Sequence, residues 1–202
     1  MKSIKQQKLD VLFRFCNQYG FEQTVDEITA GIGISKKTFF NRYQNREEMT
    51  KMVQQYWREL FKSRFEEKKI LCNNSVEIIL LFIYELQVSN KVETFFIKQE
   101  ILSEAYLEHL KENHFIPMIR KVIIDGIDNE CFDADIDIDL FCHYFIYNIF
   151  HLYLNQLNIE LINYFLQPLL TELGKKLLED IDLERMFTFA IPIFDSSFKK
   201  FQ

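Results

Sequence analysis

A chain of 202 residues that is 48% hydrophobic can form one or two domains around a sizeable core, and its 5 Gly and 3 Pro leave little material for a turn-rich sheet protein. The net charge of −6 argues against a polyanionic partner until it is divided along the chain. Residues 1–70 hold 14 Lys and Arg against 9 Asp and Glu, a net +5, whereas residues 71–202 hold 10 against 21, a net −11.

A basic head attracts nucleic acid, while an acidic body is repelled and restricts how the molecule can lie on a duplex. No glycine-bounded, β-branched alternation stands out, so an all-α fold is expected. Cys16, Cys72, Cys131 and Cys142 fall in or beside helical apolar stripes without a CxxC pair, which reads as reduced core residues rather than a disulfide framework or a zinc site. The start of the chain lacks an apolar secretory stretch, and no window approaches about 18 uninterrupted apolar residues. A cytoplasmic protein without a membrane partner is expected.

Taken in order, residues 5–19 place Leu9, Leu12, Phe13 and Cys16 on one helical face, with Gly20 as the stop. Thr24 with Glu27 three residues on predicts a capping box that starts a short helix. Gly33 suits a left-handed cap at its end, and Ile34 pins the turn to the core. Ser35 then caps a second short helix over residues 36–43, and Asn45 with Glu48 predicts a further capping box. Three helix starts within about two dozen residues, separated by tight turns, predict a helix-turn-helix.

The middle helix carries the chemistry that a DNA groove requires. Between Ser35 and Arg46 stand Lys36, Lys37, Arg42 and Arg46 with no acid, and Thr38 and Asn41 add uncharged hydrogen-bonding groups. Phe39 and Tyr43, four apart, can face inward. A solvated basic face on an ordinary helical hairpin is the competing reading, and the capped, glycine-turned spacing counts against it.

This first quarter of the chain resembles the tetracycline-repressor (TetR) family of bacterial one-component regulators. The matching residues are Gly20, Phe21, Thr24, Val25, Ile28, the run from Gly33 to Phe40, Tyr43 and the run from Asn45 to Met49. Beyond them the resemblance extends only in length and helical pattern. The family usually has alanine at Thr29, tyrosine at Phe40, phenylalanine at Tyr43 and lysine at Arg46. The tyrosine hydroxyl commonly reaches a phosphate, which Phe40 cannot do, whereas Arg46 keeps a positive charge at a helix N-terminus where backbone donors already favour phosphate. On this reading Lys36, Lys37, Thr38 and Asn41 are expected to face bases or the phosphates beside them, Thr24, Arg42 and Arg46 to hold the DNA backbone and Phe40 to pack on sugar or a thymine methyl, with Ser35 and Tyr43 completing the DNA-binding set.

From Arg46 a long helix over about 46–72 carries Met49, Met52, Val53, Tyr56, Trp57, Leu60, Phe61 and Phe65 along one stripe until Asn73-Asn74-Ser75 breaks it. It reads either as a mechanical link between head and body or as a passive spacer. Body helices are predicted near 75–89, 91–103, 105–129 with an interruption at Pro117, 137–156, 159–180 with a bend at Pro168, and 183–200 with another at Pro192. The stretch 140–150 is apolar almost all round and must be covered on two sides. One cover is expected to be a twin subunit, and the family resemblance implies a two-fold four-helix bundle built from 137–156 and one later helix.

Other candidate sites are weaker. The aspartate run 133–139 fails as an EF-hand loop, because Ile138 and Tyr144 stand where glycine and glutamate are required. A loop with Asp135 or Asp137 capping the next helix explains it better, and neither a metal nor a cofactor is expected. His109, His114, His143 and His151 read as satisfied or pocket-lining side chains. The absence of a glycine-rich phosphate loop, a nucleophile elbow and HExxH argues against an enzyme. The many aromatics are first of all core, yet Tyr84, Phe95, Phe96, Tyr106, Phe115, Met118, His143 and Tyr147 also suit an apolar pocket with a few polar handles, and the resemblance implies an effector site in the body.

The resulting expectation is an all-α chain with a three-helix DNA-binding domain over 1–48 and a helical ligand-binding and dimerisation domain over 75–202. It would act as a homodimeric transcriptional regulator, most simply a repressor on a palindromic double-stranded operator, released by a small, largely apolar or amphipathic effector. The alternative is a helical interaction protein or a regulator without a small-molecule effector.

Overall fold

The computed structural model describes residues 4–92, 108–149, 159–182 and 185. Among them, helix is the only regular element apart from one isolated antiparallel bridge between Phe132 and Leu170. The chain divides into two compact units, one around Met1–Arg64 and one around Phe65–Val88 with later residues. No described helix is long and apolar enough to cross a membrane.

In the first unit, α1 (Ile4–Tyr19) buries Leu12, Phe13 and Cys16, and Gly20 ends it at φ 90° while donating its N–H to the Cys16 carbonyl at 2.8 Å. Helix α2 (Val25–Gly31) starts at the capping box expected from sequence. The Thr24 hydroxyl accepts from the Glu27 N–H, and the Glu27 carboxylate accepts from the Thr24 N–H at 2.7 Å. Gly33 takes φ 68° in the turn that follows. Helix α3 (Lys36–Tyr43) is capped by Ser35, and α4 (Arg46–Lys69) begins where the Asn45 side chain accepts from the Glu48 N–H at 2.8 Å. Glu48 itself pairs with Lys51 at 3.0 Å.

Ile28, Phe39, Tyr43, Met49, Val53, Tyr56 and Trp57 close this core. Phe13 meets the edge of Tyr56 at 5.7 Å, and the Tyr56 hydroxyl donates to Asp10 at 3.0 Å. Thr29 lies inside, where its hydroxyl donates to the Asp26 carbonyl, so the polar group is satisfied within its own helix. The Cys16 thiol is pushed up to about 12 by burial, and all four cysteines are free.

The second unit is organised on α5 (Ser75–Val92). The Asn74 side chain caps it by accepting from the Glu77 N–H at 2.9 Å, and the Glu77 carboxylate takes both the N–H and the amide of Asn73. Phe65, Phe82 and Phe115 stack edge to face, at 5.8 and 5.7 Å, and Glu85 is buried against Lys68.

The interruption expected at Pro117 is a π-turn over Lys111–Phe115 that leads directly into α6 (Ile116–Asp128), with the Ile116 N–H reaching the Lys111 carbonyl five residues back. Proline has no N–H to continue the ordinary ladder and its ring crowds the carbonyl four residues earlier, so the wider turn just before it relieves both. Helix α7 (Ile138–Asn148) is capped by Asp137, whose carboxylate accepts from the Leu140 N–H at 3.0 Å; Asp133 holds the preceding loop through the Asp135 N–H. Among the described residues no three His, Cys, Asp or Glu side chains gather as a metal would require.

The single bent helix expected over 159–180 is instead two helices. Helix α8 (Ile159–Leu166) gives way to a 3-10 turn at Gln167–Leu169 and to extended Leu170, and α9 (Glu172–Glu179) starts again at Thr171. Pro168 alone would only kink a helix. The break is completed because this segment bonds to the α6–α7 connection: Asp133 N–H to the Leu169 carbonyl at 2.9 Å and Thr171 N–H to the Cys131 carbonyl at 3.2 Å. The helix expected over 91–103 beyond Val92, the end of 137–156 and the helix over 183–200 apart from Arg185 lie outside the described residues.

Candidate nucleic-acid interface

Helix α3 has two chemically distinct faces because its aromatic residues fall four apart. Phe39 is fully buried and Tyr43 is 3% exposed, their rings 5.2 Å apart, whereas Lys36, Lys37, Phe40, Asn41 and Arg42 lie exposed and Thr38 is half-buried. The Ser35 hydroxyl accepts from the Thr38 N–H at 3.1 Å and lies 2.9 Å from the Thr38 hydroxyl. The outward face thus presents three cations, an amide and an apolar ring on a rigid, capped helix. That combination can neutralise phosphates and offer hydrogen bonds and a methyl-sized apolar contact to base edges.

Three of the sequence candidates are engaged within the protein itself. Tyr43 belongs to the inner stripe with Phe39, and burial raises its hydroxyl pKa against the opposing effect of Arg42. It positions α3 rather than facing outward. Thr24 spends both its N–H and its hydroxyl on the Glu27 carboxylate, each at 2.7 Å, and these bonds hold the Glu27 carboxyl below the usual carboxylate range. Arg46 donates to the Phe21 carbonyl, tying the start of α4 to the α1–α2 connection. Phe40, 48% exposed, stands edge-on to Phe39 at 5.4 Å.

Sequence reasoning missed Asp26. Its carboxylate meets the Lys36 ammonium at 2.6 Å, linking α2 to the first residue of α3. The signal was present: two acids open α2, and the capping box uses only Glu27.

In the second unit, Phe115 lies in the phenyl stack and Tyr84 and Met118 are half-buried. His143 and Tyr147 converge on the π-turn. The His143 Nε2 lies 3.3 Å from Glu112, its Nδ1 lies 2.7 Å from the Asp139 carbonyl, and the Tyr147 hydroxyl donates to Glu108 and, at 3.4 Å, to Glu112. Lys111, 1% exposed, pairs with Glu108 at 3.0 Å and sits 4.1 Å over the Tyr147 ring. The hydrogen bond to Asp139 and then the Glu112 charge raise the His143 pKa above the ordinary value. Glu108, Lys111 and Glu112 escaped notice in the sequence because nothing in their spacing announces a π-turn. Phe95, Phe96 and Tyr106 lie outside the described residues.

No protein-family model and no curated protein matches this sequence. Solved structures do match its fold. CprB from Streptomyces coelicolor in complex with its biological operator sequence aligns with a TM-score of 0.55 at 11% identity, over 92% of this chain and 93% of that one. RolR in complex with resorcinol aligns at 0.55 and 16% identity, over 95% and 97%, and the ketosteroid transcriptional regulator KstR2 of Mycobacterium tuberculosis at 0.53 and 15%, over 85% and 97%. The fold is all-α and TetR-like.

Proposed function

We propose that this chain is a cytoplasmic transcriptional regulator that reads double-stranded DNA with α3. The observation that carries the reading is the partition of that helix, with Phe39 and Tyr43 inside and Lys36, Lys37, Phe40, Asn41 and Arg42 outside. Lys36, Lys37 and Arg42 meet phosphates or the bases beside them, Ser35, Thr38 and Asn41 supply hydrogen bonds, and Phe40 packs on sugar or a thymine methyl. The operator bound by CprB supports the same use of a like fold here. In domain terms, residues 1–48 are the reader and 75–202 the ligand-binding and dimerisation body.

A single reader helix covers too few base pairs to select one genomic site, so the protein works as a homodimer on a palindrome. Leu140 and Tyr144, exposed one turn apart on α7, support pairing through that helix. The regulator acts as a repressor, and a small, largely apolar effector in the body favours the released state; that RolR, of like fold, holds the small molecule resorcinol supports a small-molecule effector here. A second reading, a regulator answering to a protein instead, is favoured by one observation: His143 and Tyr147, the expected polar handles, are already turned to Glu108 and Glu112.

The test is Lys37→Ala. The variant is expected to reduce the salt dependence of duplex binding by about one unit if the lysine meets a phosphate, or to relax sequence preference if it meets a base. Unchanged salt slope and unchanged preference together mean that α3 is not the reader.

A further inference from the structure

Two acids open α2, and they have different duties. Glu27 closes the cap through the N–H and hydroxyl of Thr24. Asp26 instead meets the Lys36 ammonium at 2.6 Å, and both side chains remain largely exposed, at 65% and 62%. The backbone beneath Asp26 is held by the Thr29 hydroxyl at 3.1 Å, so the carboxylate is carried on an ordered turn. An ion pair this exposed contributes little to folding. Its effect falls on whatever approaches α3.

We propose that Asp26 is a positioning residue that acts as an electrostatic brake on DNA binding by occupying Lys36. This rests on the DNA-binding reading of α3 and deepens it. A phosphate and the Asp26 carboxylate compete for one ammonium. Either Lys36 stays paired and adds no net charge to the interface, or it turns to the duplex and leaves a carboxylate unpaired beside a polyanion. In both cases it contributes less than Lys37, which makes no ion pair among the described residues. The brake acts on the sequence-independent attraction to phosphates and leaves the base-facing groups of Thr38, Phe40 and Asn41 untouched.

The experiment titrates the full-length protein against a mixed-sequence duplex over a range of salt. Asp26→Asn is expected to bind about fivefold tighter at low salt, the worth of one unit charge at about 4 Å in water. Its salt slope is expected to steepen by about one unit, because Lys36 now releases a counterion. Asp26→Glu, which keeps the charge, stays near wild type, and in a Lys36→Ala background the gain from Asp26→Asn disappears. Three results overturn the brake: no gain in affinity or slope from Asp26→Asn while Lys37→Ala still lowers the slope, a gain equally large from Asp26→Glu, or a gain that persists without Lys36. A wild-type protein that shows no salt-dependent duplex binding overturns the parent reading instead, so the two failures are distinct.

Discussion

Gly33 turns the chain at φ 68°, and a Cβ built there meets nothing within 4 Å. Any cost of a side chain at this position is therefore a backbone cost, free of packing. Gly33→Ala is expected to lower unfolding stability by about 1 kcal/mol, read from denaturant midpoints at unchanged slope. A loss of several kcal/mol would mean that the turn tolerates no relaxation and controls the seating of α3. Thr29 and Tyr43 show how far single positions could be read from sequence. The three-and-four spacing placed Tyr43 inward even though it was also counted among the DNA-binding candidates, and in the fold it is buried beside Phe39. Thr29, where the resembling family has alanine, keeps a hydroxyl in the core because the Asp26 carbonyl accepts it. Local rules see such a residue as polar and cannot see the acceptor one turn away.

Among the elements, the π-turn and α7 form the pair with the clearest conditional behaviour. His143 bridges the Asp139 carbonyl and Glu112, with Glu108 and Lys111 joined to the same group through Tyr147 and with Asp139 itself paired to Arg120. Its pKa lies above the ordinary 6.5 in the folded protein, so the protonated form favours the fold. The sign follows: this contribution is complete below about 6.5 and is lost as pH rises through the higher folded value. Thermal unfolding should show wild type losing stability relative to His143→Gln as pH is raised across that window; parallel curves would mean that the clasp is not titrating. Element starts were legible wherever a cap was local, as at Thr24, Ser35, Asn45 and Asp137. The separation of α8 from α9 was not, because what converts a Pro168 bend into a break is bonding to Cys131 and Asp133, some forty residues distant in sequence.

For the whole molecule, the division of charge remains the most informative sequence property, since it sets a basic first third apart from an acidic remainder before any helix is drawn. If two copies act together, a duplex with both half-sites is expected to bind far more tightly than one with a single half-site, with two chains per duplex in sedimentation. Equal affinity for the two would remove the dimer from the proposal. The all-α fold and the capped starts of α2 and α3 were accessible from composition, caps and spacing. The body's polar cluster was not, because it depends on a wider helical turn that brings Glu108, Lys111 and Glu112 opposite α7.

Gly174 carries a consequence for how such a chain can diverge. A methyl there would lie 2.1 Å from the Cys131 carbonyl oxygen, a backbone atom that no rotamer change can move aside. Exposed positions such as Glu172 and Lys176 are free to drift over generations, whereas position 174 stays fixed unless the turn bearing Phe132 drifts with it. Descendants that replace this glycine are thus expected to carry a lengthened or shortened turn near residue 131, a paired change that marks the contact even in sequences too distant to align elsewhere.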